Sequence, residues 1–352
     1  MTEQDKMVFC TLFDSNYLDK GLALYKSMRK HIDAFRLYIF AFDDKCFDIL
    51  SAMRLKNVIV LSVEDIMTET MQRIKGERTQ AEFCWTSTPV IIEHVLVKYQ
   101  EEICTYIDAD IFFWANPAPV IQEIIDAVCS VGLVEHKFER NATYGESVLK
   151  YGRYCIQFNT FLNNKEGRRV LRDWKEDCLN WCYDRYEDGR FGDQKYTDKW
   201  QQKYSGVHAS TYIGAGVAPW NLHMYTDIHR KNGGVWMKFR NKPFQVIFYH
   251  YAGMKCLSTH RICLNLWKYG KFGTGRKIRV LYGGYFAVIM RIREKLQSCY
   301  DITFEHMIDY DGWYAEKKYS LKRLCKDEGI FRGLIGWIAY WKNNILFVTG
   351  IF

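Results

Sequence analysis

The chain reads as a layered α/β protein, a parallel sheet flanked by helices. Over the first 135 residues, short apolar runs alternate with segments whose apolar side chains recur at helical spacing. The fourth of those runs, Ile103–Ile107, ends in two acids one residue apart, Asp108 and Asp110. Only five prolines and no low-complexity tract interrupt the chain, which leaves little room for long linkers.

Taken in order, Met7–Leu12 is a short apolar run, and Ser15–His31 follows with Leu18, Leu22, Tyr25 and Met28 on one helical face behind an Asp14 or Ser15 cap. Leu37–Phe42 is the second strand and stops at Asp43-Asp44. Val58–Leu61 is the third, with Ser62 capping a further helix. Thr79–Tyr99 reads as helix with Pro89 as a kink or break. Ile103–Ile107 is the fourth strand, and Pro117–Val128 the next helix. Beyond residue 129 the alternation changes. Val131–Val134 and Tyr154–Leu162 are strand-like, Gly167–Cys182 is helical, and residues 189–221, rich in Gly, Gln, Tyr and Trp, read as binding loops. Phe244–Tyr249 is a last strand running into His250. This divides the chain into 1–255, an α/β catalytic unit, and 256–352, a helical and basic extension.

At 352 residues the chain can bury a large core. Its 16% aromatic content fits either an aromatic-rich interior or clefts for flat polar ligands such as sugars. Twelve cysteines lie scattered, with Cys178 and Cys182 four apart and no CxxC pair, so they read as reduced thiols rather than zinc ligands. The start, MTEQDKMVFC, lacks the pattern of a signal peptide, and no run is long enough to span a membrane, so a cytoplasmic location is expected. The net charge of +8 is unevenly placed: residues 251–352 hold 17 Lys and Arg against 8 Asp and Glu, a local balance of +9. In that segment Trp267, Tyr269, Tyr282, Tyr285, Trp337, Tyr340 and Trp341 interleave with the basic residues. The pattern suits an anionic membrane surface better than nucleic acid, and a solvated helical face is the plainer alternative.

Two carboxylates at i and i+2 on an extended chain point the same way, so Asp108 and Asp110 can face one point past a strand end. Their mutual repulsion is relieved by a divalent cation, and hard oxygen ligands suit Mg²⁺ or Mn²⁺. A surface turn with two solvated acids is the bland alternative, which the following Phe112-Phe113-Trp114 argues against. Other polar residues fall beside strand ends, where open α/β sheets bind ligands. These are Thr11 to Tyr17 after strand one, Asp43 after strand two, then Lys75, Arg78, Glu82 and Trp85, and later Gly192-Asp193-Gln194 and His250.

The order TLFDSNY, FDD, KxxRxxxEFCWT, YIDADIFF, GDQ and FYHYAG, over about residues 7–255, resembles the GT-A nucleotide-sugar glycosyltransferases, closest to the retaining family 8-like bacterial enzymes. The resemblance implies a Rossmann-like mixed sheet flanked by helices. It also implies Mn²⁺ (or Mg²⁺) on Asp108 and Asp110 with His250 completing the coordination, and Asp108 thereby touching the donor. Asp193 and Gln194 would meet the donor sugar, while Thr11, Phe13, Tyr17 and Asp43 would hold the nucleoside. Two segments depart from the family pattern. His250-Tyr251-Ala252-Gly253-Met254-Lys255-Cys256 stands where HxxGxxKPW is usual, and Phe158-Asn159-Thr160-Phe161 stands where an FNSG-type segment is usual.

Breaking a glycosyl phosphate bond leaves negative charge on the diphosphate and positive charge on the ring. Lys75, Arg78 and Lys255 are the candidate cationic clamp for the first, and Asp193 could stabilise the second. The partners expected are therefore a nucleotide-diphosphate sugar, a glycan or lipid-linked acceptor of bacterial lipopolysaccharide or capsule synthesis, and an inner-membrane surface met peripherally, with no nucleic acid. An aspartyl-phosphate hydrolase would carry its DxD at the first strand, and a nucleotidyltransferase would need a Gly-rich loop with Arg after it. Neither is present. The remaining alternative is a non-catalytic glycan-binding module on a transferase-like fold.

Overall fold

The computed structural model describes residues 6–139, 144–264, 266, 276–304 and 345–347. The first half follows the alternation: β1 (Met7–Phe13), α1 (Leu18–His31), β2 (Phe35–Ala41), α2 (Asp44–Met53), β3 (Val58–Ser62), α3 (Glu69–Glu77), α4 (Gln80–Lys98) and β4 (Ile103–Ile107). Then come β5 (Ile111–Phe113), α5 (Ala118–Asp126), β6 (Val131–Glu135), α6 (Tyr144–Tyr151), β7 (Tyr154–Leu162), α7 (Lys165–Asn180), α8 (Trp200–Lys203) and β8 (Val207–Ala209). Ser62 caps only a short 3₁₀ turn with Asp65 closing the capping box, and Thr68 caps α3 separately. Pro89 does not break α4, which runs through it. Its missing N–H leaves one carbonyl without an intrahelical partner.

A seven-stranded sheet takes the order β3-β2-β1-β4-β7-β6-β8. Pairing is parallel from β3 to β4, as the alternation predicts, but β7 runs antiparallel to both β4 and β6. The sheet is therefore mixed. Helices α4 and α7 cover one face, where Phe161, Trp174 and Trp200 stack. On the other face Phe9, Phe113, Phe158 and Phe248 pack ring to ring. Gly21 of α1 lets the Phe13 ring lie where a Cβ would come within 2.3 Å of it. Aromatic packing on both faces is why the central strands are almost wholly buried.

The chain divides into two compact units, Met1–Gly216 with Ile247–His250, and Val217–Val246 with Tyr251–Phe352. The second contains the antiparallel meander β9 (Thr226–Lys231), β10 (Gly234–Phe239) and β11 (Lys242–Gln245). The expected last strand is split. Its first part is β11, while β12 (Phe248–His250) returns to the first unit and pairs with β5. Further on lie β13 (Lys255–Cys256), β14 (Arg261–Cys263), the long α9 (Arg276–Tyr300) and β15 (Ile345–Phe347). The region expected as a helical extension thus also holds a three-stranded sheet, whose two- and three-residue strands are too short to leave a periodic signal. Tyr251 stacks on Tyr285 with centroids 3.7 Å apart, and Tyr282 meets it edge-on. Tyr282 and Tyr285 are fully buried, so neither offers a ring to a membrane. Trp267, Tyr269, Trp337, Tyr340 and Trp341 lie outside the described residues. Among those that are described, no helix is long and apolar enough to cross a membrane.

Two glycines in helices of the first unit make the packing testable. A Cβ at Gly167 would lie 2.1 Å from the Leu162 carbonyl oxygen, with Ser130 O at 3.3 Å, and backbone cannot swing aside. Gly167→Ala should lose about 2–3 kcal/mol by overpacking. At Gly76 nothing lies within 4 Å of the added carbon, so Gly76→Ala should gain about 0.5–1 kcal/mol. Urea midpoints of the two variants against the parent protein check both signs.

Candidate functional site

The two acids converge through a turn rather than by strand alternation. Asp108 follows the last residue of β4, and its N–H donates to Gln157 O at 3.2 Å. Ile111 N–H donates back to Asp108 O at 3.2 Å, closing the turn that carries Asp110 into β5. β12 then pairs antiparallel with β5, and the register sets His250 opposite Ile111. His250 Nε2 lies 3.0 Å from Asp110 Oδ1 and 3.7 Å from Asp108 Oδ2. Its Nδ1 donates to Gln157 Oε1 at 2.9 Å, which fixes the proton there and aims Nε2 at the carboxylates. Tyr106, one turn of the pleat back on β4, donates its hydroxyl to Asp108 Oδ1 at 2.8 Å.

Charge accounts for the arrangement. Burial raises the Asp108 carboxyl to about 7, against the pull of His250. Burial also acts to raise Asp110, but His250 and then Lys20 outweigh it, and Asp110 is held below the usual carboxylate range. For His250, burial acts downward and the Asp110 carboxylate reverses it, so the imidazole is raised. A proton between His250 Nε2 and Asp110 Oδ1 and a divalent cation would compete for the same place. One atom from each of Asp108, Asp110 and His250 falls within 4.8 Å of the others, and two carboxylates with one imidazole are a donor set for Mn²⁺ or Mg²⁺. The residues fit a divalent ion.

Around this point the sheet is unusually polar for its burial. Gln157 and Asn159 on β7 are fully buried, yet Gln157 Nε2 and both amide atoms of Asn159 have no hydrogen-bond partner in the protein. Native interiors rarely leave such atoms orphaned, and a polar ligand is a direct explanation. Asp193 is also buried. Its carboxyl is raised well above the normal range by burial first and by Asp108 second, and the Thr88 hydroxyl bonds to it. Gly192 precedes it at φ +51, which re-aims the chain beneath Trp85. Gln194 Nε2 donates to Tyr151 O at 2.7 Å.

The structure therefore gathers Asp108, Asp110 and His250, with Asp193 close enough to feel the charge of Asp108 and Tyr17 that of Asp110. Other expected residues have different occupations. Arg78 is engaged within the fold. Its guanidinium donates to Thr86 Oγ1, Cys178 O (2.7 Å) and Leu179 O (2.8 Å), satisfying carbonyls at the end of α7. Asp43 accepts from Cys46 N–H (2.7 Å) to cap α2 and from Ser15 N–H (2.8 Å), so it fastens the loop after β1. Thr11 and Phe13 are buried inside the sheet, although Thr11 Oγ1 lacks a partner. Lys75 is exposed on α3, and Lys255 is exposed on β13 of the second unit. Sequence reading missed Gln157, Asn159, Tyr106 and Lys20. For the first two a signal existed, since Gln and Asn break an otherwise apolar strand.

No family model matches the chain. Two proteins of Bacillus subtilis (strain 168) are similar along most of its length. YfnD, an uncharacterized protein, is 27% identical over 296 residues, covering 83% of this chain and 91% of its own. YfnF, also uncharacterized, is 30% identical over 260 residues, covering 72% of this chain and 84% of its own. Among solved structures, galactosyltransferase LgtC in complex with donor and acceptor sugar analogs aligns with a TM-score of 0.50 at 13% identity, over 81% of this chain and 95% of that one. That likeness establishes the GT-A fold.

Metal affinity should follow pH with a definite sign. Coordination needs His250 neutral at Nε2 and Asp108 ionised, and both groups are raised, so protons compete with the ion. Mn²⁺ affinity should fall as pH drops below about 7, by up to about tenfold per pH unit for each proton displaced. Gln157→Met, which removes the acceptor for Nδ1–H, should weaken Mn²⁺ by about 10- to 100-fold without unfolding the protein. Calorimetric titrations with Mn²⁺ from pH 5.5 to 8.5 test both.

Proposed function

We propose, for a chain that belongs to the family of Bacillus subtilis YfnF and carries the GT-A fold, that it is a metal-dependent glycosyltransferase using a nucleotide-diphosphate sugar. The convergence of Asp108, Asp110 and His250 Nε2 at one point beside β4 carries the reading. Supporting it are the orphaned amides of Gln157 and Asn159 and the buried Asp193, a set of polar groups suited to a sugar's hydroxyls. A divalent ion, when bound, supplies a Lewis acid for the diphosphate that departs. The chain's own part is to hold the three ligands, with Gln157 fixing the His250 tautomer, and to place Asp193 and Gln194 at the ring that moves. Burial and the neighbouring Asp108 raise the Asp193 carboxyl, so a second full charge beside the ligands is disfavoured.

The finer reading is transfer of a hexose or related sugar to a glycan or lipid-linked acceptor in bacterial polysaccharide synthesis, with Mn²⁺ as the ion. Residues 1–255 would carry the chemistry, and the basic segment 256–352 would rest on the anionic cytoplasmic face of the inner membrane. Its balance of +8, 16 Lys and Arg against 8 Asp and Glu, supports the last point, each Lys or Arg near such a surface contributing on the order of 1 kcal/mol.

A panel of nucleotide sugars screened for Mn²⁺-dependent hydrolysis or transfer tests the main reading. Asp110→Asn should lose turnover about 100-fold or more, roughly 3 kcal/mol of leaving-group stabilisation, while its melting curve stays cooperative. Full turnover of that variant without metal would sink the assignment. Asp193→Ala and Gln194→Ala should keep affinity for the free nucleotide diphosphate and lose turnover, because they meet the ring and not the leaving group. Equal loss of nucleotide binding would move that segment to the phosphates. Sedimentation with neutral and anionic vesicles, beside a DNA gel shift at matched salt, tests the membrane surface. Binding to anionic vesicles only is the expected outcome.

A further inference from the structure

Lys20 stands in the first turn of α1. Helix α1 packs along β5, the strand that Asp110 leads into, and Ser27 Oγ accepts the N–H of Phe113 at 3.0 Å. Lys20, two turns nearer the helix start, is close enough for its charge to act on Asp110. The ammonium lies 3.5 Å from the centroid of the Tyr17 ring, which pins it by cation–π attraction. Tyr17 is itself 39% exposed, so the pair opens to solvent at the site.

A lysine beside a metal site is unfavourable for the metal alone, since it repels a divalent cation. Nor is it the immediate counter-ion of Asp110, which His250 already serves at 3.0 Å. The charge makes sense once a third party is present. Two carboxylates cancel a divalent ion, and Lys20 then leaves the loaded site with a net positive charge. A diphosphate bound to the ion is the natural anion to bridge from metal to ammonium, and it gains further negative charge as the sugar departs.

We propose that Lys20 is the cation that binds the diphosphate of the nucleotide donor, taking the place expected of Arg78, whose guanidinium is bonded to α7. The inference rests on the glycosyltransferase reading above and adds to it a named phosphate-binding residue. Burial acts to lower the Lys20 ammonium, but Tyr17 and Asp110 reverse that, so it keeps its proton at neutral pH as the role demands. Lysine suits the position as a compact point charge that tolerates several phosphate geometries.

The test compares wild type, Lys20→Met and Lys20→Arg in two titrations. The first uses Mn²⁺ alone. The second uses UDP, GDP, CDP, ADP and dTDP at saturating Mn²⁺. Lys20→Met should bind Mn²⁺ as well as wild type or several-fold more tightly, because a repelling charge is gone. Its affinity for the nucleoside diphosphates that wild type binds should drop about 10- to 100-fold, and Lys20→Arg should recover most of the loss. Unchanged diphosphate affinity in Lys20→Met would overturn the proposal. So would a parallel loss of Mn²⁺ binding, which would make Lys20 a brace of the acidic turn. If wild type with Mn²⁺ binds none of the five, the glycosyltransferase reading falls and takes the Lys20 assignment with it.

Discussion

Two carboxylates, Asp108 half-buried and Asp110 buried, stand at the end of a strand and repel each other, and the first unit provides the means of relieving that repulsion. Neither has full access to solvent to dissipate its charge, so a cation must be held within reach. The β5–β12 pairing provides the reach, setting His250 against Ile111 and its Nε2 on Asp110. Gln157 provides the orientation from below. These supports have supports of their own. Ile247 N–H, one residue before β12, donates to Gly214 O at 2.9 Å, and the Lys137 ammonium binds the carbonyls of Tyr212 and Ala215 at 2.6 Å each. A loop more than a hundred residues from Asp108 in sequence thereby helps to fix the strand that answers it.

Polar residues near strand ends have two uses, and the fold assigns them by what the backbone lacks. Helix ends leave amides and carbonyls unpaired, and any donor or acceptor in reach is drawn to them first. Arg78 closes the end of α7 in this way, and Asp43 caps α2 while holding the loop after β1. What remains unpaired after that settlement is more informative. Gln157 Nε2 and the Asn159 amide are buried with no partner in the protein, in a sheet whose other polar atoms are largely matched. Those atoms, rather than the more conspicuous charged residues, are the ones the fold leaves without a protein partner.

The electrostatic balance points the same way. Asp108 is raised by burial and Asp110 lowered by His250 and Lys20, so two chemically identical acids differ in their hold on a proton. A site whose groups exchange protons near neutrality is one that a divalent ion can enter by displacing them. Asp193 is raised as well, by burial first and by Asp108 second. The three acids thus differ in their hold on a proton through their surroundings alone, without any difference in side-chain chemistry.

The sequence by itself determined the alternating elements of the first half, the acids that end the fourth strand and the family resemblance that named His250 as their partner. Each is written locally, as a period of apolar residues or as a short motif, and local patterns survive without the fold. Tertiary structure alone decided that β7 runs antiparallel, that β12 leaves its neighbours to pair with β5, and that Gln157, 93 residues from His250, sets its tautomer. It also decided that Arg78 serves a helix 100 residues away and that Tyr282 and Tyr285 face a core. Pairings across such separations leave no periodic trace, because the partner that satisfies a buried group is chosen by packing in space and not by position along the chain.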